Sequence, residues 1–306
     1  EVEIQYLVSR SHDNVPIGEV FPRLSHLENL HLTSTAPENI AADSDIVFLC
    51  LPHMASQDIA PDLLGKTKII DLSADFRLRD KQDFEKYYHQ SHNCPELLKG
   101  KFVYGLPEIF GDSIRNADAV ANPGCFALLA QIMLYPFREN ITKADWIGIS
   151  GTSGGGKKAR DPADHPALAQ NMKSYLINEH RHIPEVLQTL GLPKNKLNFL
   201  PSVGPFLRGI FASAFVSTVS GFEDDKNIFS DQPFIRIRDE VHLSNVVSTN
   251  YLDLSIQKTQ SPNEFIVQGA LDNLLKGASG TAVQNMNLMF GIDENSGLSF
   301  DTPIYP

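Results

Sequence analysis

Ile46-Val47-Phe48-Leu49-Cys50-Leu51-Pro52-His53 reads as a strand buried on both faces, an unbroken apolar run closed by Pro52 and His53. Residues 56–64 follow with a helical pattern, and Lys68-Ile69-Ile70-Asp71-Leu72-Ser73 is a second apolar run. Strand, helix, strand with short links is the signature of a parallel βαβ unit. Ligands of such sheets sit outside the carboxyl ends of the strands. Pro52, His53, Ser73, Asp75 and Arg77 all fall there. Upstream, residues 1–8 alternate and are β-branched enough to predict another strand, ending in Ser9-Arg10-Ser11. In nucleotide-binding α/β domains the end of the second strand lies by the adenosine ribose. An acidic residue there binds the 2′-hydroxyl, and an arginine accommodates a 2′-phosphate. Ser9 and Arg10 therefore point to NADP over NAD, although a surface turn accounts for the same residues.

Downstream, residues 80–100 read as helix and loop, 102–108 as a short strand closing in a turn, and 117–122 as a strand. That strand delivers Asn122-Pro123-Gly124-Cys125. Pro123 and Gly124 break it, and from Phe126 a helix is predicted with an apolar stripe of Phe126, Leu129, Ala130 and Met133. Cys125 then stands at a helix N-terminus, where unpaired amides and the helix dipole favour a thiolate and lower the pKa. Such a thiolate is a nucleophile; a buried structural cysteine fits the same position. Glu179-His180-Arg181-His182-Ile183-Pro184-Glu185 is too polar for ordinary core. A histidine from it can take and return a proton beside the cysteine, while a charged, solvated helix start is the plainer alternative. The spacing lacks the paired ligands of a structural zinc site.

The chain has 306 residues, more than one typical core, so two domains are expected. Its 26 basic and 37 acidic residues leave a net charge of −11, which argues against a nucleic-acid surface and against anionic membranes. No apolar run is long enough to span a bilayer. Three unpatterned cysteines, Cys50, Cys94 and Cys125, fit a reducing cytoplasm.

Beyond Cys125 the pattern changes. A strand at 146–150 runs into Gly151-Thr152-Ser153-Gly154-Gly155-Gly156-Lys157-Lys158, whose amides and lysines could cradle a phosphate, though its spacing is not that of a Walker loop and a flexible linker has the same composition. The stretch 197–217 reads as strand residues flanking a Pro/Gly turn, and its one arginine, Arg208, could hold an anion or simply lie at the surface. Further strands at 234–237, 251–256 and 264–269 predict a mostly antiparallel sheet, hence an α+β second domain. A final helix over 272–288, with small residues Gly277, Ala278, Gly280 and Thr281, is expected to pack back on the first domain, with Asn273 ahead of it near a cofactor amide.

Five motifs in order resemble one family: Asn122-Pro123-Gly124-Cys125, the 151–156 loop, His180-Arg181-His182-x-Pro184-Glu185, Pro205-Phe206-Leu207-Arg208-Gly209 and Asp272-Asn273-Leu274-Leu275-Lys276-Gly277. Together they look like the N-acetyl-γ-glutamyl-phosphate reductases, with aspartate-semialdehyde dehydrogenases as more distant relatives. The resemblance implies a Rossmann-like α/β NADP-binding domain (residues 1–123 and 272–306). It also implies an α+β catalytic and oligomerisation domain (124–271) of the glyceraldehyde-3-phosphate dehydrogenase-like C-terminal type. It implies NADPH-dependent reduction of an acyl phosphate through a Cys125 thioester, with His180 as acid/base and no metal. His182, Glu185, Arg208 and Lys157 are the expected substrate contacts; Ser9, Arg10, Ser73, Ser153, Gly154 and Asn273 the expected cofactor contacts. A cytoplasmic homotetramer acting on a small molecule is the expected form.

One departure stands out. The family's opening strand and Gly-x-x-Gly-x-x-Gly turn, about 20–30 residues, is missing ahead of residue 1, so the sequence reads as a fragment with its first sheet strand absent. The alternatives are the same chemistry on a carrier-linked aminoadipyl phosphate or on aspartyl phosphate, a cysteine hydrolase using Cys125 and His180, and an inactive, N-terminally truncated relative.

Overall fold

The computed structural model describes residues 2–155, 170–223 and 227–298. Three short strands come first: β1 (Leu7–Val8), β2 (Val15–Pro16) and β3 (His31–Thr33). They form a small sheet in the order β1-β3-β2, with β1 and β3 parallel. The strand expected over 1–8 is thus confined to its last two residues. Val2 and Ile4 are exposed, so their alternation has no sheet face to cover.

The next four strands, β4 (Ile46–Leu49), β5 (Lys68–Asp71), β6 (Val103–Tyr104) and β7 (Ala119–Ala121), make an all-parallel sheet in the order β4-β5-β7-β6. Burial on both faces explains the continuous apolar run of β5, whereas β4, expected to be buried on both faces, is the edge strand and is half-buried up to Leu49. Ile69 packs in a cluster with Ala60 and Leu63 of the Ser56–Leu63 helix, whereas Ile70 packs on the other side with Ala282 and Met286. The last helix does return to the first sheet, as its small residues suggested. It is not one piece: a π turn (Leu275–Ser279) precedes the α-helix Gly280–Met289.

Strands β8 (Ile141–Ser150), β9 (Lys173–Ser174), β10 (Leu197–Val203), β11 (Ile210–Thr218), β12 (Ile235–Ile237), β13 (Leu252–Lys258) and β14 (Glu264–Leu271) form a seven-stranded sheet. Its order is β12-β13-β14-β11-β8-β10-β9. The β8–β10 and β12–β13 pairs are parallel and the others antiparallel, so the sheet is mixed with an antiparallel majority. Trp146 and Phe199 stack at its centre, 4.4 Å between rings. The Cys125–Leu134 helix lies on it and is buried all round from Phe126 to Leu134, not along a stripe. The Ile183–Leu190 helix covers its other side, so no edge of it meets water.

Candidate active site

The turn between β7 and the cysteine helix is held from several directions. The Asn122 amide donates to the Asp71 carbonyl (2.8 Å) and the Arg77 Nε donates to the Asn122 carbonyl (2.7 Å). The Asn122 side chain donates to the Ala278 carbonyl (3.0 Å) and accepts from Asn285 (3.1 Å). The Gly124 amide donates to Glu185 Oε2 (3.0 Å). Gly124 itself is obligatory, because a Cβ there would lie 2.3 Å from His182 Nε2.

Cys125 opens the helix as expected, but its thiol is not depressed overall. Burial pushes it up; the Phe126 amide and the charges of Arg77 and Arg181 pull it down, and Glu185 pushes it up again. The helix-end amide acts in the expected direction and burial outweighs it.

Glu185, in the first turn of the Ile183–Leu190 helix, is fully buried. Its carboxylate accepts from Tyr104 (2.7 Å) and the Gly124 amide, and pairs with Arg77 at 3.4 Å. Removing one partner of such a buried pair costs about 3–5 kcal/mol, because the other charge is stranded. Glu185 was read as a substrate contact; in the structure its carboxylate is committed to the cysteine turn and to Arg77, which bridges from the parallel sheet.

His180 and His182 sit side by side, ring centroids 4.6 Å apart, both against Phe126. Burial, then the Arg181 charge, holds His180 down at about 4. Burial, then His180 and three further cations or histidines, holds His182 well below the usual range. The His182 amide donates to His180 Nδ1 (3.2 Å), so the neutral ring carries its proton on Nε2. Cys125 and His180 share a neighbourhood: Tyr175 lies 5.6 Å from the His180 ring, and its hydroxyl is pushed up to about 12 by burial and by Cys125.

Two groups here escaped the sequence reading. Tyr175 sits in a loop with no pattern to flag it. Arg181 was part of the quoted motif but was counted only as polarity. It is exposed, yet its charge reaches Cys125, His53, His180, His182, Tyr88 and Tyr175.

The remaining expected residues divide. Ser153 Oγ accepts from Asn273 Nδ2 (3.1 Å), Asn273 Oδ1 accepts from the Gly209 amide (2.6 Å), and Gly154 lies beside both Ser150 and Asn273. Arg208 Nε pairs with the buried Asp272 and is part exposed, so it braces this turn as well as facing outward. The amides of the glycine-rich loop do not cradle an anion over the described residues. Gly151, Thr152, Ser153 and Gly154 donate to the carbonyls of Gly209, Phe206, Leu207 and Gly151. The loop needs its glycines for close packing: a Cβ on Gly151 would lie 2.6 Å from the Arg208 amide nitrogen. Lys157 lies outside the described residues. Ser73 is buried and its hydroxyl donates to Asp71, so it shapes the loop after β5.

Ser9 and Arg10 belong to the separate small sheet. Ser9 Oγ lies 3.4 Å from both Ser11 Oγ and His12 Nδ1, and Ser11 Oγ lies 2.9 Å from the same nitrogen. Two hydroxyls, an imidazole and an exposed guanidinium at a strand end suit a phosphate oxyanion, and the nearby Asp13 carboxylate is engaged by the Ser34 amide (2.8 Å). The residues present therefore fit a phosphorylated dinucleotide. Among the described residues no group of three or more His, Cys, Asp or Glu is placed to hold a metal, and no helix is long and apolar enough to cross a membrane.

Residues 1–117 match the semialdehyde dehydrogenase NAD binding domain, and residues 125–273 match the semialdehyde dehydrogenase dimerisation domain. The chain belongs to the semialdehyde dehydrogenase family. It is an oxidoreductase with a nicotinamide-dinucleotide domain and a dimerisation domain. Among its relatives, an N-acetyl-gamma-glutamyl-phosphate reductase of Alkaliphilus metalliredigens is 38% identical over 323 residues, covering 100% of this chain and 93% of the relative. One of Methanopyrus kandleri is 37% identical, covering 97% and 90%. A Pyrococcus horikoshii protein, provisionally named [LysW]-L-2-aminoadipate/[LysW]-L-glutamate phosphate reductase, is 40% identical, covering 100% and 92%. The fold is shared with an aspartate semialdehyde dehydrogenase of Candida albicans solved with NADP: TM-score 0.69, 11% identity, 96% of this chain and 92% of that one.

Proposed function

We propose that this chain reduces N-acetyl-γ-glutamyl phosphate to N-acetylglutamate semialdehyde with NADPH, releasing phosphate, in arginine biosynthesis. The observation that carries the chemistry is a cysteine at a helix mouth whose preceding amide is pinned by a buried carboxylate, beside two histidines held neutral. Relatives of that name, matched over the whole chain, support the substrate.

Cys125 Sγ attacks the γ-carbonyl carbon and the carbon–oxygen bond to phosphate breaks. The thiol proton leaves with the departing group as hydrogen phosphate, and an acyl thioester remains on Cys125. Ser9 and Arg10 would hold the phosphorylated ribose of NADPH and Ser153, Gly154 and Asn273 its other end, and the bound cofactor would supply the hydride that reduces the thioester. The resulting thiohemiacetal oxygen is stabilised by the Phe126 amide and by His180 Nε2, which carries the proton of the neutral ring because Nδ1 already accepts the His182 amide. Collapse of that intermediate frees the semialdehyde and the Cys125 thiolate, which is reprotonated. His182 backs this wall, pressed on Gly124. Arg181, exposed above Cys125, and Arg208 serve the phosphate and carboxylate of the substrate; Lys157 is kept as a third anion contact on the resemblance alone. The protein acts as a homotetramer in the cytoplasm, through the outward face of the seven-stranded sheet, where Ile147 and Phe215 are exposed.

The 40% relative favours a second reading, the same reaction on a carrier-linked aminoadipyl or glutamyl phosphate. Phosphate-dependent oxidation of each semialdehyde with NADP separates them. N-acetylglutamate semialdehyde should give the highest kcat/KM. If only a carrier-linked or the aspartate semialdehyde supports NADPH formation, the substrate assignment is lost.

A further inference from the structure

Behind Cys125 lies a buried charge that the reaction does not use. Lys276 and Glu108 are both fully buried and paired with each other, although they come from the π turn and from the start of the Pro107–Arg115 helix. Lys276 Nζ also donates to Gln284 Oε1 (2.7 Å) and lies 5.5 Å from the centre of the Phe234 ring. A buried ion pair is a poor device for stability, since apolar side chains of the same volume do as well or better; its best attested use is to select one register among several. The register at stake is that of the π turn.

Gly277 sits against the cysteine: a Cβ on it would lie 2.7 Å from Cys125 Cβ. The next residue, Ala278, supplies the carbonyl that accepts from Asn122. A slip of one residue brings Lys276 or Ala278, each with a Cβ, into a place with no room for one. Single π turns carry an extra residue, are rare, and occur mostly inside α-helices at functional sites. Here Thr281 Oγ1 donates to the Lys276 carbonyl (2.6 Å), and the Leu274 carbonyl accepts from both the Ser279 amide (3.0 Å) and Ser279 Oγ (2.8 Å). Lys276 is the element that reaches out of the turn to a different part of the fold.

We propose that Lys276 is a positioning residue: its anchorage on Glu108 and Gln284 keeps the π turn in the one register that seats Gly277 on Cys125 and Ala278 on Asn122. This rests on Cys125 being the nucleophile. The test is a variant that removes both charges together, Lys276→Met/Glu108→Gln, so that no lone charge is stranded. The readouts are the iodoacetamide alkylation rate of Cys125 across a pH series, followed on its own peptide to separate it from Cys50 and Cys94, and kcat and KM.

The folded double variant should alkylate at Cys125 about tenfold more slowly and lose about tenfold in kcat at nearly unchanged KM, the scale of a misplacement well below the roughly 1 Å that can cost about a hundredfold. Wild-type alkylation and kcat in a folded double variant overturn the proposal. Should that variant not fold, Gln284→Met removes one contact of the ammonium and keeps the ion pair. A smaller fall in both readouts supports the proposal, and wild-type values overturn it. The alkylation readout needs no acyl phosphate. A chain that reduces none of them but shows the slowed alkylation loses the functional reading and keeps the positioning role.

Discussion

Around Cys125, side chains from distant segments, Arg77, Tyr104, Glu185 and Asn285, converge on a few backbone atoms of the 122–125 turn or on the carboxylate that grips it, and all are buried. Around Ser9 and Arg10, a two-residue strand ends in a part-exposed turn whose hydroxyls and imidazole bond within the turn, tied to the end of β3 by the Ser9 amide and Asp13. The contrast matches the roles proposed for the two places. Covalent chemistry needs atoms fixed before the substrate arrives, and fixing them takes buried, fully engaged partners. Reading a phosphate on a large cofactor needs reachable charge, and the ligand itself completes the order. One region is determined by the protein, the other by its occupant.

The largest expected effect tests whether the two regions are separable. Cys125→Ser should lower the reduction rate by about 10⁴-fold or more, the scale seen when a nucleophile is lost. NADPH affinity, measured by fluorescence titration, should stay within about twofold, because no dinucleotide contact is altered. Retained turnover, or a large loss of NADPH affinity, breaks the division.

Acid should sharpen it. His53 and His180, each held at about 4, and His182, depressed further, all lie in the chemical region. Burial is the first cause in each case. The unfolded chain binds these protons from about pH 6.5 downward. Their contribution to stability is therefore complete above that value and is lost as pH falls toward 4. Asp71, pushed up to about 6 by burial, has the opposite sign and offsets part of the loss. Thermal stability should fall between pH 7 and pH 4.5, and amide exchange should quicken first near 122–125 and 180–185. Exchange that quickens first near 7–12 contradicts the contrast.

The smallest effect belongs to the exposed corner. Arg10→Ala should raise KM for NADPH roughly tenfold with kcat unchanged, since a charge-assisted hydrogen bond is worth about 1.5–3 kcal/mol. It should leave KM for NADH alone. An unaltered preference between the two cofactors would show that Arg10 does not read the 2′-phosphate.

Much of this was legible along the chain. Apolar runs marked β4 and β5: β5 is buried on both faces, and β4, half-buried at the edge of the sheet, leaves no alternation either. Pro123-Gly124 marked the helix start because neither residue continues a strand. Other features were not. Residues 1–8 alternate like a strand, yet only Leu7 and Val8 find a partner. The glycines at 151 and 154 looked like a phosphate loop, but they serve close packing on 206–209. Arg181 and Tyr175 reach the site only through the fold.

Local pattern by itself determined the main strands of the two larger sheets, where the helix bearing Cys125 begins, and which residue types carry chemistry, since these follow from side-chain period and backbone preference within a few residues. Only the tertiary structure decided that burial outweighs the helix-end amide at the thiol, that Glu185 grips the Gly124 amide, and that Gly277 backs Cys125. Desolvation and contact depend on what arrives from far along the chain, and no local pattern encodes that.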